Sequence, residues 1–185
     1  MYGPVMAGER VRLEPPRLEY APAYLRWFAD REVTRYMLVR HPTSLKKQEE
    51  WIEQMAASPD DVLWAMVRAA DGALIGNVQL MKITWRHRHA ELGCVIGERA
   101  EWGKGHGGEA VRLATTYTFL ELGLEKVWAS VVVANEASRR ALERSGYRQS
   151  ALFRRDRYVD GHWYDLWVGE ILKDEWERLQ QEKTP

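Results

Sequence analysis

The architecture of this chain follows from one segment, Trp102-Gly103-Lys104-Gly105-His106-Gly107-Gly108-Glu109-Ala110. The segment follows a β-rich run at residues 90–96. It precedes apolar residues at helical spacing, which are Ala110, Leu113, Ala114, Tyr117 and Leu120. Glycines between a strand and a helix let backbone N–H groups turn toward an anion at the helix N-terminus, where the helix dipole also favours negative charge. We therefore predict a strand–loop–helix unit that binds a phosphate-bearing ligand, with a plain flexible connector as the alternative.

Two better-known phosphate loops fit this segment poorly. Gly103, Gly105 and Gly108 match G-x-G-x-x-G, but about six residues separate Ile96 from the first glycine, where a dinucleotide fold has none. The acidic residue expected about 20 positions further on is replaced by Trp128. A P-loop would need Gly-Lys followed by Ser or Thr, which is missing here.

The flanking sequence predicts a mixed α+β domain. Hairpin signals at Asp71-Gly72 and Asp160-Gly161 indicate antiparallel strand pairs. We expect the strand–helix–strand unit around the glycines to lie inside this mainly antiparallel sheet. We expect strands at 11–15, 63–68, 74–81, 90–96, 126–133, 148–158 and 163–172. We expect helices at 21–28, 45–57, 110–120, 137–145 and 173–181.

Composition sets further bounds. The 185 residues carry 27 Lys+Arg against 27 Asp+Glu, so no positive field favours direct nucleic-acid binding. A lone cysteine, Cys94, excludes an internal disulfide framework, and no apolar run approaches the roughly 20 residues of a membrane span. The N-terminus lacks the apolar stretch of a signal peptide. We expect one soluble, cytoplasmic domain over residues 1–185.

Several motifs together resemble the GCN5-related N-acetyltransferase superfamily, from about residue 8 to 172 in family order. Gly105-His106-Gly107 fits the second half of its acetyl-CoA loop, and Trp102 stands in the Gln/Arg position. The RimJ/RimL-type branch, which acetylates ribosomal-protein N-termini, and the related spermidine acetyltransferases are the most similar. Their motifs here are Gly8-Glu9-Arg10-Val11-Arg12-Leu13, residues 30–37, Ala90-Glu91-Leu92-Gly93, Asn135-Glu136-Ala137-Ser138 and Glu143-Arg144-Ser145-Gly146-Tyr147.

The resemblance implies a central, mainly antiparallel sheet flanked by helices, and direct transfer of an acetyl group from acetyl-CoA to a primary amine. The pyrophosphate would lie on main-chain donors of Lys104, Gly105, His106, Gly107 and Gly108. Val95 and Ile96 would pair with the pantetheine arm, and an N–H near Val95 would stabilise the oxyanion. Asn135 would hydrogen-bond the arm from the other side.

The resemblance also suggests an acid and a base. An α-amino group is about 10–20% neutral at pH 7, whereas a lysine is well under 0.1% neutral, so an N-terminal acceptor needs less help from a base. Glu91 is the candidate base, directly or through a water, and the alternative is a solvated strand residue. Family members often place an acidic tyrosine where Leu142 stands here. Ser138 is the substitute acid, or else an ordinary N-terminal helix serine, and Tyr147 is expected to pack in a turn.

Other residue groups carry competing interpretations. His87, His89 and Glu91 alternate as zinc ligands would, but no fourth ligand is evident, and we expect no metal. Arg140 and Arg139 are candidate contacts for the CoA 3′-phosphate, or a solvated helix face. Cys94 lacks a paired base and is expected to be a strand residue. Four tryptophans fall in segments that would rim the acceptor cleft by family analogy: Trp27, Trp51, Trp85 and Trp163.

The predicted function is acetyl-CoA-dependent N-acetylation of a protein N-terminus or a small amine. The alternatives are a polyamine or aminoglycoside-type acetyltransferase, and a non-catalytic acyl-CoA-binding regulatory module, which Leu142 and Trp102 favour. No direct nucleic-acid or membrane partner is expected, and a homodimer stays open. The residues that select the acceptor would lie at about 16–60 and 154–165.

Overall fold

A computed structural model describes residues 1–37 and 43–182 and shows eight strands among them, joined in one sheet. The strands are β1 (Met6–Ala7), β2 (Val11–Glu14), β3 (Val62–Arg68), β4 (Leu74–Thr84), β5 (His89–Ile96), β6 (Lys126–Val132), β7 (Arg148–Val159) and β8 (His162–Leu172). Their order across the sheet is β1-β2-β3-β4-β5-β6-β8-β7. The described helices are α1 (Ala21–Ala29), α2 (Arg31–Thr34), α3 (Leu45–Ala57), α4 (His106–Leu120), α5 (Glu136–Arg144) and α6 (Lys173–Gln181).

The sheet is antiparallel except at its centre. β5 pairs with β6 in parallel, and α4 forms the crossover between them. Every other pairing between these eight strands is antiparallel, including the hairpins β3–β4 and β7–β8, and one isolated parallel bridge joins Tyr2 to Leu63. This confirms the predicted mixed α+β class, in which a single strand–helix–strand unit lies within an antiparallel sheet.

The helices cover both faces of β5. Gly97 lies against the Trp27 indole of α1, so closely that an added Cβ would be 1.9 Å from a ring carbon. On the other face, the Cys94 and Ile96 side chains lie 3.9 Å from the Cβ position of Gly107 in α4. Since successive side chains of a strand point to opposite faces, α1 and α4 sandwich the end of β5.

Two apolar clusters hold these layers together. The larger joins the sheet to α4, α5 and α6 through residues such as Trp64, Phe119, Leu142, Trp167 and Trp176. The smaller joins α1 and α3 through Ala21, Tyr24, Trp27 and Ile52. Among the described helices, none is long and apolar enough to span a bilayer.

Element boundaries differ from the sequence predictions at a few places. α4 begins at His106, ahead of the apolar residues that predicted it, because Gly105 adopts a left-handed conformation (φ 87°) and starts the helix directly after the loop. The sequence did not predict β1 or α2, which are very short. Short elements carry too few residues for a periodic pattern to be visible.

Candidate active site

The central feature of the sheet is an opening between β5 and β6. Their parallel ladder ends at the pairing of Glu91 with Trp128. β5 nevertheless continues to Ile96 and β6 to Val132, so the two strands run on without pairing to each other. We call the opening between residues 92–96 and 129–132 the strand gap. It lies toward the carboxyl ends of two parallel strands, where open sheets containing parallel strands bind ligands.

β5 presents alternate backbone groups to the strand gap. The Gly97 N–H donates to the Ile75 carbonyl over 2.9 Å, and Val95 is two residues earlier in the same antiparallel ladder with β4. Because ladder hydrogen bonds alternate along a strand, the backbone of Val95 faces β4, whereas that of Cys94 and Ile96 faces the gap. The donor expected near Val95 therefore falls on Cys94 or Ile96.

The glycine-rich loop supplies further free donors. Gly103 and Gly105 have positive φ values of 75° and 87°, which a residue with a Cβ rarely adopts. The first α-helical hydrogen bond of α4 runs from the Glu109 N–H to the Gly105 carbonyl, at 3.2 Å. The N–H groups of residues 106–108 precede it and have no carbonyl of the helix to bind. Together with the dipole of this helix, they form an anion-binding end.

The Glu101 side chain fixes the glycine-rich loop through hydrogen bonds to two of its residues. Its carboxylate, 6% exposed, accepts from Arg68 Nη1 at 2.6 Å, Lys104 Nζ at 3.1 Å and His106 Nε2 at 2.9 Å. The Lys104 hydrogen bond, together with that of His106 and the positive charges of Lys104 and Arg68, lowers the pKa of Glu101. The side chains of Lys104 and His106, two predicted site residues, already bind Glu101. These residues would therefore contact a ligand through their main-chain N–H groups.

Trp102 closes the end of β5. Its indole N–H donates to the Ile96 carbonyl over 2.9 Å, and the Arg99 guanidinium lies 5.9 Å from its ring centroid. The Ile96 carbonyl is one of the backbone groups that face the strand gap. Trp102, at the Gln/Arg position of the family loop, thus donates a hydrogen bond to the Ile96 carbonyl, and the Ile96 N–H is the group that stays available to a ligand.

α5 borders the strand gap on the β6 side. Asn135 caps this helix, with its Oδ1 accepting from the Ser138 N–H at 3.3 Å, so the Asn135 amide NH₂ is not used by the cap. At the other end, Ser145 Oγ donates to the Ala141 carbonyl at 2.8 Å and lies 3.4 Å from the Gly108 carbonyl in the first turn of α4. Nine residues of helix separate these ends by about 13 Å. A ligand that reaches both the glycine loop and Asn135 must therefore be elongated.

Glu91 lies at the vertex of the strand gap. Its Oε2 is 2.7 Å from Lys82 Nζ, and that ammonium also lies 6.0 Å from the centroid of the Trp128 ring. The Glu91 side chain is 13% exposed and that of Lys82 is 74% exposed. Glu91 is thus a partly buried carboxylate with an ammonium partner, at a point where a ligand in the gap would end. The sequence did not reveal Lys82, whose positive φ of 52° lies at an irregularity of β4.

The tyrosine-bearing position of the family faces the core in this chain. Leu142 is 4% exposed and belongs to the larger apolar cluster. Tyr147 is also buried, and its hydroxyl lies 2.8 Å from Thr115 Oγ1, as expected for a packing residue. Burial raises the pKa of Tyr147. Neither residue offers an acidic hydroxyl to the strand gap.

The structure gives little support to the other candidate groups, which are the cysteine, the arginines of α5 and the histidines. Burial raises the pKa of Cys94 to about 12, which keeps the thiol protonated and disfavours it as a nucleophile. Arg140 forms an ion pair with Glu136 on an exposed part of α5, at 2.7 Å. The rings of His87 and His89 stack with centroids 6.4 Å apart. Within residues 1–37 and 43–182, no group of three or more metal-ligating side chains comes together.

The four tryptophans have different environments. Trp27 is buried, so its role is packing, whereas Trp51 is half-buried between α3 and α1. Trp85 is exposed and donates to Asp60 Oδ1 at 2.8 Å. Trp163 is 60% exposed and packs against Tyr158, with ring centroids 5.2 Å apart and an interplanar angle of 53°. An aromatic surface therefore exists at the tip of the β7–β8 hairpin.

That hairpin tip reaches the region of α2. Asp160 Oδ2 accepts from Arg35 Nε at 2.8 Å, and Arg31 lies 4.0 Å from the same carboxylate. The contact joins the two segments that we expect to select the acceptor, about 16–60 and 154–165. Residues 38–42, which belong to the first segment, lie outside the described part of the chain.

The comparison of the sequence with known families identifies the chain. The family of the Acetyltransferase (GNAT) domain matches residues 10–148, which include β2 to β6, the glycine loop and α5. The chain belongs to the GNAT acetyltransferase family. The chain is therefore an acyltransferase, and the strand gap beside the glycine-rich helix N-terminus is its candidate active site.

Its relatives include two GNAT proteins of Bacillus subtilis (strain 168). The uncharacterized N-acetyltransferase YoaA is 30% identical over 174 residues, covering 92% of this chain and 97% of YoaA. YdaF, provisionally named a ribosomal N-acetyltransferase, is 39% identical over 107 residues, covering 58% of each chain. This GNAT chain is therefore similar to N-acetyltransferases over nearly its whole length.

A solved structure supports the fold independently. The spermidine N-acetyltransferase from Vibrio cholerae, in complex with CoA and spermine, superposes with a TM-score of 0.83 at 22% identity. The match covers 92% of this GNAT chain and 99% of the other. At that identity the likeness shows the shared fold, which confirms the predicted GNAT-like architecture.

Proposed function

We propose that this protein transfers the acetyl group of acetyl-CoA directly to a primary amine, and that one catalytic domain spans residues 1–185. The observation that carries the proposal is the strand gap, toward which the alternation of the β4–β5 ladder turns the N–H groups of Cys94 and Ile96, and which opens beside the anion-binding end of α4. An elongated thioester with a pyrophosphate suits both features, because one part can pair with a strand and the other needs clustered N–H donors.

We assign each predicted contact to a part of this path. The pyrophosphate lies on the main chain of residues 104–108, as the family loop implies. The arm runs beside residues 94–96, with the Val95 side chain on its flank. Asn135 offers its amide NH₂ from the β6 side. Arg140, exposed on α5, is the proposed contact for the 3′-phosphate. Arg140 can leave its ion pair with Glu136 for the phosphate at low cost, because both side chains are solvated.

The chemistry needs a neutral amine, an oxyanion donor and a protonated leaving group. We assign the donor to the Cys94 or Ile96 N–H, since these groups face the strand gap. Glu91 accepts a proton from the acceptor ammonium, directly or through a water, and the freed amine attacks the acetyl carbon. The tetrahedral intermediate then loses a second proton from its nitrogen to solvent, and its C–S bond breaks to release the CoA thiolate. Ser138, half-buried in the first turn of α5, gives a proton to the CoA thiolate and regains one from solvent.

The acceptor is a protein N-terminal α-amine or a small amine in this proposal. YdaF, with its ribosomal name, supports the first class, and the lower basicity of an α-amine asks less of Glu91. The second class is supported by the structural neighbour that holds spermine, and by the exposed Tyr158–Trp163 pair, which can attract a cation. We propose the cytoplasm as the place of action, and a homodimer stays open.

The deciding experiment measures CoA release with acetyl-CoA and a panel of amines: peptides with free N-termini, the same peptides with blocked N-termini, and spermidine. Steady release with free peptides or spermidine supports an acetyltransferase, and the blocked peptides give the background. Binding of acetyl-CoA without release over the whole panel would show a non-catalytic module. Glu91→Gln should lower turnover at least about tenfold without weakening acetyl-CoA binding, and unchanged turnover would exclude Glu91 as the base.

A further inference from the structure

The Glu109 carboxylate binds three consecutive backbone N–H groups of a distant segment. Oε1 accepts from Glu9 at 2.8 Å, and Oε2 accepts from Arg10 at 2.8 Å and Val11 at 2.9 Å. Glu109 is nearly buried and lies in the first turn of α4, next to the glycine loop. Charge-assisted hydrogen bonds of this kind are stronger than neutral ones and fix geometry.

The segment around Glu109 is shaped to surround the carboxylate. A Cβ at Gly8 would lie 2.8 Å from Glu109 Cδ, so only glycine permits the close approach. The backbone of Arg10 is held on both sides, because its N–H donates to Glu109 and its carbonyl accepts from the Ala69 N–H at 2.8 Å. The turn between β1 and β2 is thereby tied to the start of α4.

This tie brings the Arg10 side chain to the loop. Arg10 Nη1 lies 3.4 Å from the Cβ position of Gly105, the N-cap residue of α4. The other two cations of the same open hollow, Arg68 and Lys104, are already paired with Glu101. Among the described residues, Arg10 has no carboxylate partner within salt-bridge distance. Its guanidinium is available to an anion at the helix end.

We propose that Glu109 is a positioning residue that places the Arg10 guanidinium against the pyrophosphate of CoA. The proposal rests on the proposed function, because it requires the pyrophosphate to bind the glycine loop. Arg10 supplies a charged donor in addition to the main-chain N–H groups, and Glu109 sets where that donor lies.

The first test is isothermal titration of free CoA into the wild type and Arg10→Ala. Loss of one charge-assisted contact at a solvated site should raise the dissociation constant about tenfold. Arg86→Ala removes an exposed arginine from the β4–β5 turn, at the opposite end of β5 from the loop, and should leave the constant unchanged. Dephospho-CoA, which lacks the 3′-phosphate, should show the same loss with Arg10→Ala. A loss confined to CoA would move Arg10 to the 3′-phosphate and overturn the assignment.

The second test is a double-mutant cycle with Glu109→Gln. Alone, this substitution should weaken CoA binding about three- to tenfold. In the Arg10→Ala background it should change binding less than about twofold, because its effect passes through Arg10. An equal loss in both backgrounds would show that Glu109 acts independently of Arg10 and would overturn its positioning role, and thermal unfolding of all four proteins measures its contribution to stability separately.

The outcomes separate this inference from the proposed function. Wild type that binds CoA normally, with Arg10→Ala equally tight, refutes the role of Arg10 and leaves the acetyltransferase proposal intact. Folded wild type that does not bind CoA at all refutes both.

Discussion

Restoring the tyrosine of the family at Leu142 should damage the fold rather than add a catalytic acid. Leu142 is the buried residue of α5 and is 4% exposed. The side chain at this position contacts the apolar cluster that joins the sheet to α4. A tyrosine hydroxyl placed there points into the core and away from the strand gap.

The cost of Leu142→Tyr can be worked from two terms. Forcing a larger side chain into a packed core costs about 1–3 kcal/mol, and a buried hydroxyl without a partner costs about 1–3 kcal/mol more. The free energy of unfolding should therefore decrease by about 2–6 kcal/mol. At this chain length, each kcal/mol corresponds to about 2–4 °C in Tm. A decrease of at least about 4 °C is expected.

Thermal unfolding of Leu142→Tyr measures this decrease, and Leu142→Phe is the matched control. Phenylalanine keeps the ring without the hydroxyl, so its loss should be limited to the packing term of about 1–3 kcal/mol. Acetyl transfer by both variants, measured below their Tm, should not exceed that of the wild type. A tyrosine variant that is as stable as the wild type and faster would show that Leu142 faces the site.

Three further results are expected. Tyr147→Phe should lower the free energy of unfolding by about 1 kcal/mol, through loss of the Thr115 hydrogen bond, and should leave turnover unchanged; a large loss of turnover would make Tyr147 the acid. Cys94 should react slowly with iodoacetamide at pH 8 in the native protein and quickly in urea, because burial raises its thiol pKa to about 12; equally fast labelling would contradict that burial. The pKa of Glu101 is lowered in the folded state, so its ion pairs stabilise the protein above the ordinary glutamate pKa and this stabilisation is lost as the pH falls through the folded value. The wild type should therefore lose more stability on acidification than Glu101→Gln. Parallel pH profiles of Tm for the two proteins would refute this.

The sequence predicted the sheet and its central unit because those elements carry periodic patterns. Alternation or continuous apolar runs marked the longer strands, and the glycines marked the start of α4 to within a few residues. The predicted helix at 137–145 agrees with α5 to within one residue at each end, and the structure shows a side-chain cap at Asn135 and a left-handed Gly146 (φ 97°) after the helix. Local rules of this kind depend only on neighbouring residues.

What the sequence could not give is the set of contacts between distant segments. The phase of the β4–β5 ladder decides that Cys94, rather than Val95, faces the strand gap, and a strand run alone does not contain that phase. Lys82 contacts Glu91 because of an irregularity in β4, and Glu109 accepts hydrogen bonds from residues 9–11, which are 98 or more positions away in the sequence. Such pairs follow from register and packing, which no local pattern encodes.

Amide hydrogen exchange on acetyl-CoA addition tests the central claim, that a ligand arm pairs with β5 inside the strand gap. Without ligand, the Gly93 and Val95 amides should exchange slowly because they belong to the ladder with β4, whereas those of Cys94 and Ile96 should exchange faster. Acetyl-CoA should slow exchange at Cys94 and Ile96 and leave Gly93 and Val95 nearly unchanged, and NAD should have no effect. Bound acetyl-CoA with no added protection at Cys94 and Ile96 would contradict the account.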